Sequence, residues 1–221
     1  MKCILLILAL AVRVAAASIT HTATVFPNIP DWSVTNSVPK FDPTLGTLTN
    51  VVVSVAANAS TRFWVENRDT IERSTYAASR VTATGTAAGY AATTTITNLH
   101  TATLSAYDGV LDYGGTSGFN VAVVGSDSGS IVPSDLTPFI GTGTVPLVAA
   151  ATAVGVYEGS GDYRFIVNAR ASAIVTVTYE FAPPVCPSCD DDDDCKPRVK
   201  PPSKKDDDCD DDRRKSRNRR R

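Results

Sequence analysis

β-Branched and aromatic residues recur at period two in about ten short segments of this chain, and no stretch of its body carries a helical stripe. Residues 173–181, AIVTVTYEF, show the pattern most cleanly, with Ile174, Val175, Val177, Tyr179 and Phe181 available to a core. That period is the signature of a half-buried strand. The same reading predicts strands over 18–26, 48–56, 62–66, 75–85, 91–99, 119–124, 139–146, 151–157 and 163–168. Threonine is abundant in them, as suits a pleated face turned to water. Turn chemistry fills the gaps: Pro43, Gly85, Gly89, Gly109, Gly114, Gly115, Gly118 and the run 159–162. Residues 31–55 read as a polar segment, a Pro-bounded turn and then an apolar strand, with Leu45 and Gly46 at the hinge. About ten short strands of this kind predict an all-β antiparallel sandwich, with a barrel as the alternative.

The ends differ from the body. Lys2, the apolar run 4–12 and the small residues Ala15, Ala16 and Ala17 have the layout of a secretory signal. Cleavage is expected after Ala17, so that the mature body starts at Ser18. The run falls short of the roughly 20 apolar residues that span a bilayer, and no later stretch reaches that length. The organisation expected is therefore a signal over 1–17, a sandwich over 18–182 and a tail over 183–221. The tail holds twelve Lys/Arg against eleven Asp and almost nothing apolar, so it is expected to be disordered.

Cys186, Cys189, Cys195 and Cys209 all lie in the tail, and Cys3 leaves with the signal. Core packing rather than disulfides must therefore hold the body together. In an oxidising exterior the tail cysteines are expected to form disulfides, within a chain or between chains. A zinc site would want two close pairs, and only the CPSC pair is present. The closing RRKSRNRRR has the composition of a nucleic-acid arm, but in an exported chain an anionic envelope or matrix polymer is the expected counter-charge.

Several pieces occur in one order: ITHTATVF, DWSVTNSVPKFDPTLGTLTNV, WVENRD, AYDGVLDYGGTSG, DLTPFIGTGTVPL and ASAIVTVTYEF. In these the body resembles the choice-of-anchor E domain of secreted, surface-associated proteins, mostly bacterial. FDPTLGTLTNV is the most specific of them. The resemblance implies an extracellular β-sandwich with no known enzymatic activity and a C-terminal sorting module that varies between members. The C-terminus here departs from that pattern, since no PEP-type or LPxTG-type motif precedes an apolar helix.

Chemistry-bearing residues are sparse. His21 and His100 lack metal-ligand spacing and read as ordinary surface or edge residues, no GxSxG elbow occurs, and no catalytic residue is assigned. Asp108 and Asp112 flank a glycine turn, where Asp commonly bonds local backbone. Asp42, Asp108 and Asp112, with Asp69 and Asp127, are the candidates for a calcium site in loops. Trp32, Tyr107 and Tyr113 are the candidates for a glycan contact, whereas Trp64 is expected in the core. Asn58, in Asn58-Ala59-Ser60 between two predicted strands, is the glycosylation candidate. The reading these support is a non-enzymatic, secreted or cell-surface protein with a structural or adhesive role and a tethering or sorting tail. The alternatives are a carbohydrate-binding module, or a fibre subunit that pairs through the edge strand 18–26.

Overall fold

The computed structural model describes residues 16–184. The expected signal, except its last two residues, and the tail beyond its first two residues, with its four cysteines, lie outside that range. The described chain is an all-β sandwich of two four-stranded antiparallel sheets. Its strands are β1 (Ala17–Asn28), β2 (Trp32–Pro39), β3 (Thr47–Asn67), β4 (Arg73–Ala87), β5 (Tyr90–Leu104), β6 (Gly118–Ile131), β7 (Thr144–Glu158) and β8 (Tyr163–Ala182). One sheet runs β1-β8-β3-β6, the other β2-β7-β4-β5.

Eight strands replace the ten expected because alternation runs straight through several supposed gaps. In β3, Ala57, Ala59 and Thr61 point inward and join 48–56 to 62–66 without a break. In β8, Ala171 does the same for 163–168 and 173–181. Alanine carries little strand propensity of its own, yet Ala57, Ala59 and Ala171 sit on the buried side of paired strands. Gly85 is likewise mid-strand rather than in a turn. A Cβ there would lie 2.6 Å from Val175 Cγ1 of the opposite sheet, so its bareness lets the sheets approach. Residues 139–143 are not strand, since Phe139 ends a short 3-10 turn, Thr137–Phe139. The polar segment 32–39 is a strand, β2, although alternate positions are mostly solvent-facing. In β8, Ile174 faces water, while Val175, Val177, Tyr179 and Phe181 are buried.

Valine and alanine fill most of the space between the sheets. One end is plugged by rings: Phe41 and Phe139 stand at 6.1 and 6.3 Å from fully buried Tyr179, and Phe41 at 5.1 Å from Phe181. Tyr179 donates its hydroxyl hydrogen to the Pro39 carbonyl at 3.0 Å, so its polar tip is satisfied inside this plug. Ala17 pairs with Phe181, so both ends of the body lie at this end.

The two long sides of the sandwich differ. Where β5 meets β6, polar groups and bare backbone close the gap. Asn98 donates its amide hydrogens to the Ala59 carbonyl and Thr61 hydroxyl, and the Thr94 hydroxyl bonds Asp127. A Cβ on Gly129 would lie 2.3 Å from the Thr93 carbonyl oxygen. On the other side, β1 pairs with β8 only as far as Ala171, and β2 with β7 only as far as Ala151. Beyond that level each sheet is three strands wide.

Candidate functional site

The end opposite the aromatic plug gathers the β3–β4, β5–β6 and β7–β8 loops. Backbone hydrogen bonds lace them together: Arg68 N to the Asp162 carbonyl, Asn67 N to Ser117, and Tyr107 N to Asp69. Glu66 and Asn67, the last residues of β3, are the organisers. Glu66 is wholly buried and accepts from Tyr113 N and from the Ser117 hydroxyl, each at 2.7 Å. Asn67 donates to the Ile71 and Ser105 carbonyls at 2.9 and 2.7 Å. A buried carboxylate bonded this way fixes a loop as surely as a turn sequence does. Neither residue was singled out as functional in the sequence. The available signal is a charged-polar pair, Glu-Asn, directly after the apolar run Phe63–Val65.

The long loop this frame holds lifts Val110 and Leu111 into solvent, at 55% and 49% exposure, and Ile71 of the neighbouring loop is 54% exposed. Tyr107 and Tyr113 flank that tip and are half-buried; Tyr113 takes a left-handed backbone with φ 57°. Trp32 is elsewhere, beside Ala151 at mid-height, half-buried against the core with its Nε1 buried and lacking a partner. The three aromatic candidates therefore do not form one surface.

The carboxylates act locally. Asp108 and Asp112 share the loop, and accept from Val110 N at 2.9 Å and Gly114 N at 2.8 Å, as Asx turns do. Asp42 caps the Pro43–Leu45 turn through Thr44 N, and that bond holds its carboxyl below the usual range. Asp69 bonds Arg73 Nε at 2.9 Å, and this guanidinium is the main cause of its lowered pKa. Asp127 lies in strand β6 rather than a loop, its pKa lowered chiefly by the Thr94 hydroxyl. Among the described residues no three His, Cys, Asp or Glu side chains come together as a metal set. Asp42 belongs to the plugged end, away from Asp108 and Asp112.

Asn58 lies not between strands but midway along β3, exposed on the outer face between Ser126 and Ser172. With Ser60, Val124 and Arg170 it lines a shallow groove of about 440 Å³. Trp64 also turns outward rather than into the core, because its neighbours Phe63 and Val65 take the inward positions of β3. The Arg62 guanidinium lies 5.4 Å from the Trp64 ring centroid and Arg62 Nε donates to Asn120 at 2.7 Å. His21 and His100 pack edge-on against Tyr179 and Phe119.

Fold and surface together define an antiparallel β-sandwich with a loop-bearing end and an end from which both chain termini of the body depart. No family model, curated protein or solved structure matches the chain. No helix among the described residues is long and apolar enough to cross a membrane.

Proposed function

We propose that this is a secreted or cell-surface, non-enzymatic protein of the choice-of-anchor E type, whose sandwich is an adhesive or structural module held by its C-terminal segment. The observation that carries this reading is the polarity of the body. The chain enters at Ala17 and leaves at Ala182 at one end, while the opposite end presents Ile71, Val110 and Leu111 on loops fixed by Glu66 and Asn67. A module anchored at one end and adhesive at the other needs this layout. Tethering would come from the Asp, Arg and Cys blocks after residue 183, through charge pairing with an envelope or matrix polymer, divalent ions or disulfides. Chains ended after Ala182 are expected to appear folded in the medium, while full-length chains stay with the cell. Truncated chains that remain cell-bound would defeat the tether.

A second reading, carbohydrate binding, is favoured by the outward Trp64, an aromatic ring beside the polar groups of Arg62 and Asn120, with the Arg62 guanidinium over it and bonded to Asn120. It replaces Trp32 as the aromatic to test. Glycan-array binding abolished by Trp64→Ala would support this reading; an array on which the native protein binds nothing would remove it.

A further inference from the structure

The sandwich is stepped on its β7/β8 side. Over the half nearer the aromatic plug each sheet is four strands wide. Over the other half, residues 163–170 of β8 and 152–158 of β7 have a strand on one side only. The step falls at the same height in both sheets because the short turn 29–31 links β1 to β2 there. Its inner corner holds a cleft of about 280 Å³ between that turn and the inward side chains of β7 and β8, with Ser79 at its wall. The Ser79 hydroxyl is buried and has no hydrogen-bond partner.

A free strand edge is a row of unpaired N–H and C=O groups, and sandwiches usually protect such edges with Lys, Pro at intervals or covering loops. That protection is partial here: the free part of β8 carries Arg164 and Arg170, and β1 has Pro27 near its end. β1, β2 and the free part of β7 carry no Lys, Arg or Asp, and their one acid is Glu158 at the very end. Apolar side chains cluster along the step instead: Phe26 is 79% exposed, Ile29 63% and Val154 61%, with Val34, Val156 and Ile166 also open to solvent. The inward residues Phe165, Val167 and Ala169 are only half-buried, whereas Ala171, Ala173 and Val175, further along the same face of β8, are fully buried where β1 covers that edge.

We propose that the step is filled by a second copy of this chain, related by a two-fold axis perpendicular to the sheets. Shape selects that occupant. A half-turn about such an axis sets the broad half of one copy beside the narrow half of the other. The β1–β2 corner of each then occupies the step of its mate, in both sheets at once. β1 of one copy runs parallel to β8 of the other, and β2 parallel to β7, which completes both ladders. The outer faces stay outer under this operation. Phe26 of one copy therefore shares a surface with Ile166 of the other, and the inward side of β1 continues the layer of Phe165 and Val167. The contact is isologous and closes on itself, so it yields a dimer and not a fibre. It stands independently of secretion or tethering.

Sedimentation equilibrium of the full chain, with reductant present so that cysteines cannot join chains, tests this. A concentration-dependent dimer is expected. Phe26→Lys and Ile166→Lys, both at exposed positions, are each expected to weaken it at least about tenfold, as a charge forced into an apolar contact does, with circular dichroism unchanged. Hydrogen exchange should show amides in 163–170 and 152–158 protected at high concentration and released on dilution. A monomer at every concentration overturns the proposal. So does a dimer indifferent to both substitutions, or one whose protection falls on another edge.

Discussion

Tyr179 concentrates much of what single residues do in this molecule. Burial pushes its phenol up to about 12 from an ordinary 10, and its hydroxyl is committed to Pro39. A raised folded-state pKa contributes stability that is whole below pH 10, the unfolded value, and is lost as pH rises through about 12. The melting temperature should therefore fall between those limits, and Tyr179→Phe should flatten that part of the profile. Gly85 supplies a second case. Its replacement by Ala gains about 0.4–1 kcal/mol through the unfolded chain. The new methyl meets Val175 at 2.6 Å, and overpacking of that kind costs about 1–3 kcal/mol. The second effect is the larger, so Gly85→Ala is expected to lower the urea midpoint.

Among the elements, the β5–β6 loop depends most on a single side chain. Glu66→Ala strips acceptors from Tyr113 N and the Ser117 hydroxyl, donors whose loss of a buried partner costs about 1–3 kcal/mol. Proteolytic nicking within 105–117 should rise sharply, while the strand signal in circular dichroism persists. Glu66→Gln keeps one carbonyl acceptor and should fall between. The element scale is also where sequence and structure part. Period-two apolar alternation made the sandwich legible, and strands rich in Val and Thr were found where that pattern is strong. The bridging stretches of β3 and β8 were not, since Ala57, Ala59 and Ala171 are buried by what lies opposite them rather than by their own preference. β2 was missed for the reason that makes it an edge: five consecutive residues, Ser33–Ser37, are exposed and erase the alternation. The pattern of Asp108 and Asp112 around a glycine turn is legible in the sequence, and both carboxylates bond local backbone there. That Glu66 holds this loop from beneath depends on a contact across 47 positions, which no local pattern encodes.

At the scale of the whole molecule, the strand order has a consequence for how the chain can reach this state. β8 is last of the described strands, yet it lies between β1 and β3; β7, the one before it, lies between β2 and β4. A chain lacking residues 163–221 is accordingly expected to show no cooperative thermal transition, because β1 then has no neighbour and β3 keeps only β6. During synthesis from the N-terminus, β1 and β2 wait without partners until nearly the entire body has been made. Non-local pairing of this kind is slow and leaves strand edges open to wrong partners in the meantime. The order of strands thus acts as a clock: β4 with β5 and β3 with β6 can pair early, while the edges meant for β1 and β2 close only when the last two strands arrive.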